Sequence, residues 1–208
     1  MTSNNLYPIS KEGWSYLGYS VVVFIILGFL DLEFLQFFSF LLVMFFVYVY
    51  RNPERQIMAL EKNGIVSPAD GKIIDITKQK DKTVITIDSS YHDVSLLRAP
   101  VGSVLKSKKE YKGASLSKTS LKSEILNEKL ILEFEDTQKR VIEVSHFSSL
   151  NFAGIGHDLI ESQKLIQGTR YGIVLKGITK ISLPKDSKIN LIVGSEVKAC
   201  ESVIGYLS

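Results

Sequence analysis

The sequence predicts a helical hairpin, transmembrane or re-entrant, followed by a mainly β domain. Three observations carry this. Residues 14–50 are almost wholly apolar, with Asp31 and Glu33 as the only formal charges. From residue 54 onward the pattern changes to short β-branched runs separated by Gly, Pro, Asn, Asp and Lys. Charge changes at the same place. Residues 1–50 hold one Lys against three acids, whereas the other 158 residues hold 24 basic and 19 acidic side chains, +5 within a chain total of +3.

Composition bounds the rest. With 45% hydrophobic and 23% charged residues the 208-residue chain is not disordered. A single cysteine, Cys200, excludes a disulfide framework and a Cys-based zinc cluster. The weak net charge gives no reason to expect nucleic acid, and no metal site is expected. No Walker loop, GxGxxG or HExxH motif is present.

In the apolar segment, residues 14–30 and 34–50 form two runs of 17 residues. As helices each would reach roughly 25 Å, the short end of what a bilayer core of about 30 Å requires. Asp31-Leu32-Glu33 suits a turn at an interface, and Trp14, Tyr16, Tyr19, Tyr48 and Tyr50 gather at the opposite ends as an aromatic belt. The expected organisation is a tail over residues 1–13, a membrane hairpin over 14–50 and a β domain over 51–208. Lys11, Arg51 and Arg55 flank the hairpin, which places the domain on the cytoplasmic face of the inner membrane.

In the second segment, strands are expected over residues 72–77, 83–88, 93–97, 129–134, 140–144, 171–175, 179–183 and 189–193. Residues 106–123, rich in Lys and Ser, read as a surface loop with some extended structure. Residues 150–160 read as a loop or one helical turn. The terminal run 194–205 has a turn-and-strand pattern similar to lipoyl-like β folds.

Four clusters follow in order: Arg51-Asn-Pro-Glu-Arg55, then Val66-Ser-Pro-Ala-Asp-Gly71, then Asp93-Val-Ser-Leu-Leu-Arg-Ala-Pro100, then Gly168-Thr-Arg-Tyr-Gly172 leading to Leu183-Pro184. Together, and with Asn127-Glu128, they resemble the short, membrane-anchored form of the phosphatidylserine decarboxylase family over nearly the whole chain. The resemblance implies a phosphatidylserine-decarboxylase-like β fold and a specific chemistry. Members cut themselves at a Gly-Ser bond, and the serine becomes a pyruvoyl group. Its carbonyl forms a Schiff base with the amine of phosphatidylserine and serves as electron sink for loss of CO₂, leaving phosphatidylethanolamine. It also implies roles for Asp70 (processing aspartate), Asp93 (site carboxylate) and Arg98 (phosphate or carboxylate partner).

The chain departs from the family pattern at the decisive positions. Where the family reads roughly G-x-I-R-F-G-S-R-V-x-V-x-L-P, this chain has Gly177 followed by Ile178, and the segment is one residue short. Isoleucine has no hydroxyl to attack the preceding carbonyl. Thr179 is adjacent but would yield a different keto acyl group. Gly102-Ser103 and Gly194-Ser195 read as ordinary turns. The family histidine two residues after Asp93 is Ser95 here, and serine does not exchange protons near neutral pH. His92, three residues earlier on a strand, would face the other way. An arginine pair expected around residues 150–156 is missing as well.

With those partners gone, the alternative roles are structural: Asp70 capping a turn before Gly71, Asp93 starting a strand, Arg98 in a local ion pair. His146 and His157 are expected to be surface or locally hydrogen-bonded, and Cys200 a small buried thiol. Three functions follow. The favoured one is a pseudoenzyme of phospholipid metabolism that binds membrane phospholipid, phosphatidylserine in particular, or a partner, with no cofactor. The second is an active decarboxylase, a lyase, with a self-derived pyruvoyl or related group made at a non-standard site. The third is a structural membrane scaffold. Partners would be lipid, another membrane protein or a second copy of the chain.

Overall fold

A computed structural model describes residues 7–56 and 63–208. Positions 1–6 of the expected tail and positions 57–62 of the expected β domain lie outside the described residues. The chain divides into two compact units, Met1–Glu54 and Arg55–Ser208.

The first unit is a helical hairpin of α1 (Gly13–Phe29) and α2 (Glu33–Val49), each 17 residues. Neither run contains proline. α1 stops because Asp31 adopts a left-handed φ of 53°, with the Leu32 amide reaching back to the Leu27 carbonyl. Small residues let the helices approach. Ser20 and Ser39 are buried between them, and a Cβ on Gly13 would lie 2.5 Å from that of Tyr50. Tyr16 stacks on Tyr50 at 5.6 Å.

The expectation of a transmembrane or re-entrant hairpin is corrected here. Among the described residues no helix is long and apolar enough to cross a membrane. The physical reason is length. Seventeen residues rise only about 25 Å, and the Asp31 turn keeps the two apolar runs from forming one longer helix.

The second unit is β-rich and antiparallel in all its named pairings. In chain order its first strands are β1 (Gly64–Val66), β2 (Gly71–Lys78), β3 (Lys82–Ser89), β4 (Leu96–Arg98), β5 (Ser103–Tyr111), β6 (Lys129–Asp136) and β7 (Val141–Ser148). They continue with β8 (Ile155–His157), β9 (Lys164–Leu165), β10 (Arg170–Val174), β11 (Gly177–Pro184), β12 (Lys188–Ile189), β13 (Glu196–Val197) and β14 (Val203–Tyr206). A short helix, α3 (Ser123–Leu126), precedes β6. The large sheet has the order β13-β2-β3-β11-β7-β6-β5-β9, flanked by the small sheets β1-β14-β12 and β4-β10-β8.

Alternation explains the long strands. In β7, Ile142, Val144 and His146 are fully buried, and β6 turns in Leu130, Leu132 and Phe134. β5 is longer than the expected loop allowed, because only Ser103 and Leu105 of its residues point into the core. Of the run 189–193 only Ile189 lies in a strand, the two-residue β12, and residues 150–160 form a loop and β8 rather than a helical turn.

Strand direction gives the large sheet two distinct ends. Ser89, Lys129, Ser148 and Gly177 lie at one; Lys82, Asp136, Val141 and Pro184 lie at the other.

Candidate functional site

Residues from each of the four sequence clusters meet in one buried knot. Asp70, 5% exposed, accepts hydrogen bonds on its carboxylate from both terminal nitrogens of Arg55, at 2.5 and 2.7 Å. The amides of Ala199 (2.8 Å) and Val94 (3.3 Å) donate to the same carboxylate. Arg55 also donates to the Ala199 carbonyl and lies 3.9 Å from Glu201. Burial disfavours the Arg55 charge, but the hydrogen bonds and charge of Asp70 outweigh it, and its pKa is raised. Gly71 follows at φ 144°, where a Cβ would meet the Asp88 carbonyl oxygen at 2.3 Å. Only glycine fits there. The rest of the knot is backbone. The Arg98 amide donates to the Pro68 carbonyl, Ala99 to Thr169, Gly168 to Ala99 and Cys200 to Ser67.

The other retained positions have equally definite places. Asp93 does not start a strand, since β4 begins at Leu96. Its carboxylate instead accepts from the amide and hydroxyl of Ser90 at 2.8 and 2.9 Å, closing a turn. Ser95 is buried, and its carbonyl accepts the Val174 amide at 2.9 Å. Arg98 is 4% exposed and donates to the Gly168 carbonyl at 3.2 Å. Cys200 is buried in the left-handed region, φ 73°. Burial pushes its thiol up, against the pull of Arg98, Arg55 and Arg170.

Gly177 and Ile178 open β11, the strand paired with both β3 and β7. Gly177 stands opposite Ser89 and Ser148, Ile178 opposite Asp88 and Phe147. The Ser89 hydroxyl donates to the Asp70 carbonyl at 2.5 Å, so the knot and the Gly177–Ile178 segment share one end of the sheet. Ile178 lines a shallow, solvent-open groove with Lys118, Asn127, Phe147, Ser149 and Lys180. Lys118 pairs with Asp88, and Lys180 with Glu124 at 2.6 Å. The groove therefore presents cations and carboxylates side by side. A pyruvoyl group does not fit this chain at Ile178, which carries no hydroxyl and sits in a strand paired on both sides.

Sequence reasoning missed the most unusual buried polar group. Of the two settings expected for it, His146 has the locally hydrogen-bonded one, but fully buried. Its Nδ1 lies 2.9 Å from Thr179 Oγ1 and its Nε2 2.7 Å from the Tyr171 hydroxyl, a chain that joins the large sheet to β10 across the core. Burial lowers the His146 pKa to about 3 and raises that of Tyr171. The available signal was alternation: His146 shares parity with Ile142 and Val144. Thr179 pairs with His146 in register, so this chain faces the core while Ile178 faces the groove. His157 is partly exposed, its Nε2 3.3 Å from Glu110.

Comparison with known proteins gives a consistent result. The family model described as phosphatidylserine decarboxylase matches residues 42–205. A phosphatidylserine decarboxylase proenzyme from Geobacter metallireducens is 26% identical over 216 residues, covering 98% of this chain and 99% of the relative. The proenzyme of Syntrophotalea carbinolica is 29% identical over 217 residues with the same coverage. That of Geotalea uraniireducens is 27% identical over 218 residues, again covering 98% and 99%. With the motif knot, the antiparallel β unit and a match over most of its length, this chain belongs to the phosphatidylserine decarboxylase family.

Proposed function

We propose that this chain is a non-processing member of its family, acting in phospholipid metabolism by binding an aminophospholipid head group without turnover. One observation carries the reading: the residue at the processing position, Ile178, faces the groove without a hydroxyl, and the buried imidazole of His146 belongs to the opposite face of β11. The groove suits a head group that carries an ammonium, a carboxylate and a phosphate. Glu124 and Asp88 can meet the first, Lys118 and Lys180 the other two. Phosphatidylserine has that set of charges. The flanking Lys11 and Arg51 and the +5 charge beyond residue 50 favour the cytoplasmic face of the inner membrane, where a second copy or another membrane protein can join it.

Intact mass spectrometry of the detergent-purified full chain, followed by flotation on vesicles containing phosphatidylserine or phosphatidylglycerol, tests this. A single uncut species near 23.3 kDa that floats preferentially with phosphatidylserine is expected. A cut chain, or equal flotation with both lipids, overturns it.

The hydrogen bond between Thr179 and neutral His146 favours a second reading, self-processing at the Ile178–Thr179 bond. The Thr179 hydroxyl would attack the Ile178 carbonyl carbon, and the amide C–N bond would give way to an ester. Loss of the Thr179 α-proton with rupture of the Cβ–O bond would release residues 1–178 as a carboxylate. Hydrolysis of the resulting enamine by water would then expel ammonia and leave a 2-oxobutanoyl group at position 179. The same mass spectrum separates the readings, since only this one gives fragments 1–178 and 179–208.

A further inference from the structure

The end of the large sheet that carries Ile178 differs from the opposite end in a way the head-group reading does not explain. Three segments are knitted together there. The Leu150 and Asn151 amides donate to the carbonyl and hydroxyl of Ser115, at 3.0 and 2.8 Å. The Lys118 amide donates to the Ser149 hydroxyl at 3.0 Å. Tyr91 donates to the Leu150 carbonyl at 2.6 Å and stacks on Phe152. From this framework large apolar side chains project into solvent. Leu121 is 100% exposed, Ile125 75%, Leu150 51% and Phe152 49%. Each is an unfavourable surface in water, and together they crown one end of the domain.

Lysines accompany these apolar tips. Residues 111–123 hold Lys112, Lys118 and Lys122 and no acid, and residues 148–157 hold no charged carboxylate or ammonium at all. At the far end, one strand length away, roughly 24 Å for seven residue steps, the turns 79–82, 136–140 and 184–187 are polar. They carry Lys80, Lys82, Lys139, Arg140 and Lys185 beside Asp81, Asp136 and Asp186, so cationic charge is common to both ends. Apolar tips within a lysine rim match the boundary between acyl chains and anionic head groups.

We propose that this end of the β unit is a lipid-docking face, with Leu121, Ile125, Leu150 and Phe152 entering an anionic bilayer and Lys112, Lys118 and Lys122 meeting lipid phosphates. This rests on the head-group reading, because Lys118, Ser123, Glu124 and Ser149 line the groove as well as the face. A lipid whose head group occupies the groove has its acyl chains where the apolar tips stand, so it need not leave the bilayer to be bound.

The test uses the full chain and its single tryptophan. With Trp14→Phe as background, Leu121→Trp reports on the face and Thr137→Trp on the far end. Ile125→Trp is a second probe should Leu121→Trp fail to fold. Vesicles of phosphatidylcholine and phosphatidylglycerol carry bromine on their acyl chains. Leu121→Trp emission should shift to the blue and be quenched by the brominated chains, while Thr137→Trp stays open to aqueous acrylamide. Replacing Lys112, Lys118 and Lys122 with Gln should weaken the docked state about fivefold per lysine, about a hundredfold in all. Bilayer-bound protein in which acrylamide reaches Leu121→Trp and brominated chains do not overturns the docking face. So does a blue shift that needs only higher protein concentration, which would mark a contact between copies. Preferential flotation with phosphatidylserine but no quenching at Leu121→Trp sinks the docking face and leaves the head-group reading standing. Quenching without that preference does the reverse.

Discussion

Arg55 holds Asp70 through both terminal nitrogens of its guanidinium, with the two side chains only 6% and 7% exposed. This pair ties the segment after the hairpin to the Ser-Pro-Ala-Asp-Gly turn, and through the Ala199 amide to the C-terminal turn. The position that family resemblance assigns to processing is thus occupied structurally. Asp70→Asn and Arg55→Gln should each destabilise the chain by ~3–5 kcal/mol, because each leaves a buried charge uncompensated. The double variant should cost less than their sum by more than ~1 kcal/mol. Chemical unfolding of the four proteins in detergent measures the cycle. Additive effects would mean that the pair contributes little coupling.

His146 gives the fold a distinctive response to acid. Its pKa falls from the ordinary 6.5 to about 3 on burial, so the unfolded chain takes up the proton first. The stability from keeping it neutral is complete above about pH 6.5 and declines as pH falls toward 3, by up to ~1.4 kcal/mol per pH unit. Between pH 6.5 and 5 few carboxylates titrate, which isolates the effect. Unfolding followed over that window should show the decline in the parent chain and a flatter profile in His146→Gln. Equal slopes would place the proton elsewhere.

These two sites show what was legible and what was not. Alternation located β2, β3, β6, β7 and β11 to within a few residues, because each has one face in the core. Residues 106–111 of β5 read as part of a surface loop with some extended structure, since Lys106, Lys109 and Glu110 are exposed and no residue of this stretch is buried. His146 is legible by the same parity as Val144, but a histidine outside the matched motifs reads only as a surface or locally hydrogen-bonded residue, which does not by itself place it in the core. The motifs located the knot without revealing that Arg55 and Asp70 are partners, which depends on a contact across fifteen residues. In the hairpin, hydrophobicity argues for crossing and a 17-residue length stands at the short end of what crossing requires, so the sequence alone points to a membrane hairpin that the helix lengths do not support.

Cys200 should be inert in the folded protein. It is 1% exposed, and burial raises its pKa against the pull of three arginines, so both access and thiolate are limited. Ellman's reagent should titrate no thiol in the native full chain at pH 8 and one thiol per chain in denaturant. Fast native labelling would show that the turn at Ala199 and Cys200 opens readily, and would weaken the case for the Asp70 knot as a rigid anchor.

On the proposed non-processing reading, a hydroxyl placed at position 178 tests whether one side chain decides self-cleavage. Ile178→Ser places a hydroxyl on the groove face, opposite Asp88 and Phe147. The buried imidazole one residue along is committed to Thr179 and Tyr171 on the other face. The position that would supply the family histidine is Ser95. A serine there has no positioned base, and its amide lies in a strand paired on both sides. Ile178→Ser should therefore remain a single species by intact mass after prolonged incubation near neutral pH. Cleavage between Gly177 and the new serine would mean that Asp88, or another group of the groove, serves as base, and that loss of the hydroxyl alone silenced the site.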